Sequence, residues 1–535
     1  MMERAAMKNT NSASLVKGAL LLTLAGLAGK VLGAGYRIPL QNLLGDAGFY
    51  IYQQVYPVLG FALMLALYGF PSAVAKMADS REEAGFRISW RGFYGPLWLI
   101  LAVFCSALCV VLYGFAEFLA EQIGDLRLTE VYQFASFAFL TIPFTALLRG
   151  MYQHRHDMVP VAYSQFAEQA LRVAVIIWAA AVLAQHSGDL YSIGRAAASA
   201  AMAGAGFAVL VLLLYAKRLR LQPAAPAPVP WRSYTGMLLG IGLVATLNHA
   251  LLLVIQAADA FSLLPGLVRH GLAPEQAMLE KGIFDRGQPL IQIGSVLGSS
   301  FALSVMPAIS REKLKREAGI YEPYMRLALK MSLVLGTGAA IGLMLIFPEA
   351  NQLLFEDRSG TGSLQLLVLA IALSAWAMTG SAMLQGLGYY KRTAVFITCA
   401  FAVKWLLNII LVPFAGIAGS ALATVLALSA MVILVFADLQ KNVPQLFKKE
   451  QPAVKGTLLA GAAMALFLIG MHVAGELAGL ESRLSCLLYV VLAVSGGVLI
   501  YLIVLLRSGA FLEQELAVLP FGKKLMRLNR KTRRE

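Results

Sequence analysis

Residues 282–306 read GIFDRGQPLIQIGSVLGSSFALSVM. From Gly287 onward the run carries no charge and is long enough to cross the roughly 30 Å hydrocarbon core of a bilayer, which takes about 20 helical residues. Asp285 and Arg286 stand side by side at its mouth. An ionised side chain at mid-depth costs about 2.5–3.5 kcal/mol. The pair therefore either sits at the interface and snorkels to water, or lines a wet cavity where something negative binds.

The rest of the chain repeats that pattern. Of 535 residues, 59% are hydrophobic and only 14% charged, against about a quarter charged in a soluble protein. The charges collect in short clusters between apolar runs of helix-spanning length. Hydropathy predicts 14 spans. In the first half they lie near 14–36, 48–72, 94–118, 130–152, 160–184, 194–216 and 234–258. In the second they lie near 284–308, 326–348, 364–388, 391–412, 414–437, 455–475 and 484–507. The expected class is an all-α polytopic membrane protein, with a long connection over 259–283 and a short VPFAG turn at 412–416.

Lys and Arg positions test that count independently, because cytoplasmic loops near helix ends collect positive charge. Alternate loops, at 76–91, 217–232, 311–326, 389–392 and 441–455, hold most of the 44 basic residues together with the C-terminal tail. The opposite set, at 117–130, 185–190, 348–360 and 475–483, is poor in them. The chain is thus expected in the cell membrane with both termini cytoplasmic. This bias accounts for the net charge of +15 without a nucleic-acid partner. The first apolar run, ending AGLAG before Lys30, reads as an uncleaved anchor rather than a secretory signal. Cys105, Cys109, Cys399 and Cys486 lie in or beside spans, which argues against disulfides and metal sites.

An internal repeat organises the spans. ALYGFP (66–71) matches ALSVMP (302–307), and ALLRGMYQHR (146–155) matches AMLQGLGYYK (382–391), both at an offset of 236. The fold expected is two six-helix pseudo-repeats plus a terminal helix pair. The divisions are an N-terminal lobe (1–220), a Pro/Ala-rich linker (221–233), a C-terminal lobe (234–440), spans 13–14 (441–510) and a basic tail (511–535). An even number of spans per repeat gives copies inserted in the same orientation, an arrangement suited to alternating access around a site between the halves.

Ionisable residues inside spans mark function in membrane proteins. Lys30 and Arg37 lie two turns apart in span 1, so they share a face. Glu168 and Arg172 are spaced to pair along span 5. Lys404 in span 11 falls on Glu168 when the offset is applied. Asp259 closes span 7, and Asp285 and Arg286 open span 8. Singly, each reads equally well as an interfacial snorkeller or a structural ion pair. Together their balance is cationic, which suits an anionic headgroup such as a diphosphate. Pro57, Pro143, Pro289 and Pro307 break spans. No nucleotide-binding loop, zinc-protease or serine-hydrolase motif appears, so neither an enzyme nor a cofactor is indicated.

With the stretches GKVLGAGYRIPLQNLLGDAGFYIYQQVYPV (29–58) and FDRGQPL (284–290), nearly the whole chain resembles the multidrug/oligosaccharidyl-lipid/polysaccharide flippase superfamily. It is most similar to the polysaccharide-biosynthesis branch, which includes stage V sporulation protein B and Gram-positive lipid II flippases. The resemblance implies a flippase for a lipid-linked saccharide, with Lys30, Arg37 and Arg286 facing the substrate diphosphate. It also implies a groove at spans 13 and 14 for a polyprenyl tail. The substrate saccharide, and whether a coupling ion or the membrane potential drives transport, stay open. Alternatives are a cation-coupled drug antiporter, which calls for deep acidic residues, and a non-transporting scaffold, which leaves the buried charges without purpose.

Overall fold

The computed structural model describes residues 28, 29, 31–186, 188–219, 229–305, 314, 318–447, 451–477, 483–511 and 515. Lys30, Pro307, most of the 221–233 linker and most of the basic tail lie outside them. Among the described residues the regular structure is helical and contains no strand. That is the expected solution in lipid, where an isolated backbone must satisfy its own hydrogen bonds.

Eleven described helices are long and apolar enough to cross a membrane. Two of them, Val31–Glu83 and Tyr390–Asn442, run 53 residues, or about 80 Å at 1.5 Å per residue. Each contains one glycine with non-helical angles, Gly45 (φ 66°, ψ −174°) and Gly416 (φ 55°, ψ −138°). Only glycine enters such conformations freely, and the chain folds back at both. Tyr36 bonds Tyr52 through their hydroxyls, and Lys404 bonds Ser420, each pair sixteen residues apart across its glycine. Each long helix is thus two spans. With the Gly287–Val305 helix, fourteen span-length stretches are counted in this way among the described residues.

The chain divides into two compact units, Met1–Asp285 and Arg286–Glu535. The first holds α1 (Arg37–Met64), α2 (Phe70–Glu83), α3 (Gly95–Gly114), α4 (Ala116–Ile123), α5 (Leu128–Ser136), α6 (Ile142–His154), α7 (Met158–His186), α8 (Ser192–Leu214), α9 (Trp231–His249), α10 (Leu251–Arg269) and α11 (Pro274–Asp285). Small residues set its closest pairing. On α8 the sequence SIGRAAASAAMAGAG carries Gly204, where a Cβ would meet the Glu168 carbonyl at 2.7 Å, so α8 lies directly on α7. The second unit holds α12 (Gly287–Val305), α13 (Ala318–Phe355), α14 (Thr361–Val368), α15 (Ala370–Gly386), α16 (Tyr390–Asn442), α17 (Gln451–Leu477) and α18 (Arg483–Arg507). The terminal pair α17–α18 packs on α13. The helices carrying the repeated motifs correspond: α2 packs on α6 in one unit, and α12 on α15 in the other.

Ion pairs sort the loops into the same two sets that charge counting gives. In the first unit Arg127 binds Asp189 at 2.6 Å, joining two loops of the basic-poor set. His154 binds Asp79 at 2.6 Å on the basic side. In the second unit Arg483 binds Glu356, again within the basic-poor set, and Arg326 reaches the Gln445 carbonyl within the other.

The 259–283 connection differs from expectation. It is almost entirely helical: α10 runs on to Arg269, a turn covers 270–273, and α11 follows. Asp259 therefore lies in the middle of a helix rather than closing one. Asp285 ends α11, so the Asp–Arg pair stands at a junction between two helices rather than at the first turn of a span. The apolar residues Leu263, Leu264 and Leu267 on α10 are buried, and this packing holds a segment whose polar composition reads as loop.

Candidate functional site

Folding back at Gly45 brings the two arms of the first hairpin side to side. The Arg37 guanidinium lies 3.7 Å from the centre of the Tyr56 ring, a cation–π contact, and the residue is wholly buried. The Tyr36 and Tyr52 rings meet edge to face at 6.1 Å. These tyrosines, with Gly33, Gln169 and Arg172, line a small cavity of ≈ 40 Å³, enough for a water or two.

Below it, α7 supplies Glu168, Gln169 and Arg172. Arg172 donates to Glu168 (2.8 Å) and Gln169 (3.3 Å). Arg149 enters from α6 and donates to the other Glu168 oxygen (2.7 Å), to Ser164 (3.2 Å) and to the Ala66 carbonyl (3.3 Å). One carboxylate thus serves two guanidiniums, and the triad keeps one net positive charge at the cavity wall.

On α11, Lys281 donates to Asp285 at 2.7 Å, one turn on, and its ammonium lies 5.3 Å from the Tyr50 ring centre. Gly282 between them admits no side chain, because a Cβ would sit 2.2 Å from the Asp46 carbonyl oxygen. This close approach seats α11 on the Gly45 turn. Asp259 and Arg37 lie within electrostatic range of Asp285.

In the second unit Arg286 forms a two-pronged bond to Asp357, at 2.7 and 2.8 Å, with Phe355 under its guanidinium at 5.4 Å. Burial raises the Asp357 carboxyl's pKa, but the Arg286 fork and the Ser359 amide outweigh it and hold the carboxyl below its ordinary value. Lys404 is fully buried and donates to the Ser420 carbonyl, the Ser420 hydroxyl and the Thr424 hydroxyl at 2.5–3.0 Å. It clasps the Gly416 hairpin. A larger pocket of ≈ 480 Å³, almost entirely apolar, opens among α12, α13, α17 and α18; Gly338, Gly342, Ile346, Met464, Leu468 and Gly497 are on its wall.

The structure thus places Arg172 on the wall of one tyrosine-lined cavity, with Glu168 bonded to it and Arg37 stacked on the lining Tyr56, while Arg37 and Asp259 each lie within electrostatic range of Asp285. Lys404 is set apart in the other unit's hairpin, and Lys30 lies outside the described residues. Asp285 and Arg286, adjacent in sequence, bond to different side chains, Lys281 and Asp357. Sequence reading missed Lys281, Arg149 and Asp357 as partners. Lys281 stands four residues before Asp285, a spacing that announces the bond. Asp357 is 71 residues from Arg286, and nothing local marks it. Among the described residues no group of three or more His, Cys, Asp or Glu side chains is placed to hold a metal ion.

The helical fold and the matches that follow make this a polytopic membrane protein of the multidrug/oligosaccharidyl-lipid/polysaccharide flippase superfamily. Residues 15–313 match the family model described as "Polysaccharide biosynthesis protein", and the chain belongs to that family. It is 38% identical over 532 residues to the uncharacterized membrane protein YabM of Bacillus subtilis (strain 168), covering 96% of both chains. It is 24% identical over 539 residues to the lipid II flippase MurJ of the same organism, covering 92% of this chain and 95% of that one. Among solved structures, the inward closed conformation of a lipid II flippase MurJ superposes with a TM-score of 0.65 at 13% identity, over 91% of this chain and 98% of that one. That likeness is one of fold.

Proposed function

We propose that the protein is a flippase that carries a polyprenyl-diphosphate-linked saccharide across the cytoplasmic membrane by alternating access, the lobes 1–220 and 234–440 moving about a shared site. The apolar pocket of the second unit carries this reading. It lies against spans 13 and 14, outside the six-helix repeats, and its wall is almost devoid of polar atoms. A site of that character suits a hydrocarbon tail rather than a drug cation, and its volume falls in the range of ligand pockets. Relatives named as flippases support the same assignment.

In this proposal Lys30, Arg37, Arg172 and Arg286 face the diphosphate at different stages of the cycle. Glu168, Asp259 and Asp285 hold those cations in place and keep the empty site from excess positive charge. Lys404 acts on its own side through the hairpin it clasps. Because Arg286 is held by Asp357 here, its engagement of substrate requires that fork to change partners, an exchange of one bidentate anion for another. Lipids of the surrounding membrane and either a coupling ion or the membrane potential complete the partners.

The test is depletion of the protein followed by chemical identification of lipid-linked saccharides on the cytoplasmic face. Accumulation of one such lipid is expected. An unchanged lipid-linked pool, with transport of a cationic drug lost instead, would overturn the assignment in favour of an antiporter.

A further inference from the structure

The apolar pocket has a charged end. Val334 is the first residue of α13 on its wall, and α18 contributes Tyr501, whose hydroxyl donates to the Val334 carbonyl at 2.8 Å. One helical turn before Val334, towards the basic loops, α13 carries Lys330, which is 5% exposed. Its ammonium donates to both oxygens of Glu515 at 2.8 Å and lies 5.7 Å from the centre of the Phe511 ring. Ala510 and Phe511, just beyond α18, are buried in the same apolar cluster as Val334, Met464 and Tyr501. Helix α17 seats this turn closely: a Cβ on Gly456 would meet the Ser508 Oγ at 2.4 Å and the Ala510 Cβ at 2.8 Å.

A buried ammonium calls for an anion, and the neighbouring helices do not supply one. Packed against α13, the helices α12 and α15 carry no charged side chain, and α17 and α18 bring Lys455 and Arg507 to this end. On α13 itself, Arg326 and Glu322 stand about one and two turns before Lys330. The carboxylate on Lys330 comes instead from Glu515, beyond the last helix. A carboxylate offers two acceptor oxygens, whereas a terminal phosphate offers three and up to two charges, and lysine binds phosphate as a point charge. The pocket wall begins one turn away, so a lipid with its tail in the pocket would carry its headgroup to Lys330.

We propose that Lys330 binds the phosphate headgroup of a lipid whose tail fills the apolar pocket, and that Glu515 is the chain's own competitor for that position. The site rests on the pocket's role as a tail site, proposed above, and adds to it a headgroup ligand and the carboxylate that must leave. Lipid entry from the basic-loop side then exchanges one anion on Lys330 for another, so the ammonium is never left buried without a counter-charge.

The test measures binding of tritiated farnesyl diphosphate, a short polyprenyl diphosphate, and of tritiated farnesol, the same tail without phosphate, to the full chain in detergent. Glu515→Gln is expected to bind farnesyl diphosphate about tenfold tighter than wild type, and Glu515→Gln combined with Lys330→Met to lose that gain. The double variant replaces both partners of the pair and so leaves no uncompensated charge. Farnesol should bind wild type and both variants alike, and Gly342→Phe should lose both lipids. Inorganic diphosphate should compete at least about tenfold more weakly than unlabelled farnesyl diphosphate, because it buries no apolar surface. Equal affinity of Glu515→Gln and the double variant for farnesyl diphosphate overturns the site, and the tail reading stands if farnesol still binds and is lost in Gly342→Phe. Farnesol bound by none of the proteins overturns the tail reading and the site together. Inorganic diphosphate competing as well as farnesyl diphosphate makes Lys330 a free-anion site and overturns the lipid assignment. Glu515→Ala removes the same carboxylate and must show the same gain, so it decides if the Gln variant fails to accumulate.

Discussion

At the scale of single residues, several buried charges are organised as pairs and triads, as at Arg149–Glu168–Arg172 and Lys281–Asp285. Arg286 commits both prongs of its guanidinium to Asp357. Removing the charge of one partner weakens the compensation of the other, and Asp357→Asn should destabilise the protein by about 1–3 kcal/mol. Its pH dependence follows from the depressed carboxyl pKa. Stability from a carboxylate below its usual value is present above the unfolded-state pKa of about 3.9 and lost as pH falls through the folded-state pKa. The melting-temperature gap between wild type and Asp357→Asn should hold constant from pH 8 to pH 5 and close in stronger acid. A gap that widens on acidification would refute the assignment. Arg286→Lys, which keeps charge but loses the fork, should complement a depletion strain partially, and Arg286→Ala not at all with the protein still present in membranes. How far the sequence reveals such sites depends on distance along the chain. Glu168 and Arg172 sit four apart on one helix and are legible as a pair, and the structure joins them. Arg149 and Asp357 meet their partners through tertiary packing, which spacing alone does not encode.

At the scale of elements, glycines decide where helices turn and how closely they pack. Gly45 has no atom near its missing Cβ, so Gly45→Ala tests backbone strain alone. It should cost about 1–3 kcal/mol, read as a lower melting temperature in detergent, while leaving neighbouring packing intact. Gly342 on α13 makes a different test. The nearest atoms to a Cβ there are those of Met464 at 3.8 Å, so Gly342→Phe fits the helix but fills the apolar pocket. The variant should accumulate normally and lose complementation; full complementation would mean that the pocket carries no lipid. Hydropathy marks most of the spans well because they are unbroken apolar runs, but the run predicted at 234–258 is split at Ala250 between α9 and α10. It fails over 259–283, where α10 and α11 bury polar and apolar residues alike inside the unit. It also cannot see that Arg37, read as the end of a span, lies within a helix that continues to Leu44.

At the scale of the whole molecule, the alternation of loops is what the sequence states most clearly, because positive charge is sorted by side and the ion pairs join loops of like set. The prediction is that a cysteine at Ser359 reacts with an impermeant thiol reagent added outside intact cells, whereas one at Phe86, exposed in the loop after α2, reacts only after permeabilisation. The reverse pattern would invert the topology.

The two glycine reversals carry a consequence for how the chain enters its membrane and what it tolerates there. Between the arms of each hairpin there is no connecting segment, only one residue, so the chain has no slack at that point. Neither arm can be seated while its partner waits in water, and each pair must be delivered to the bilayer as one preassembled object. Nor is there room for an inserted tag, a protease site or a natural insertion. Residues added at 45 or 416 would slide one arm past the other and part Tyr36 from Tyr52, or Lys404 from Ser420. Length variation tolerated elsewhere in surface loops should therefore be absent at these two positions.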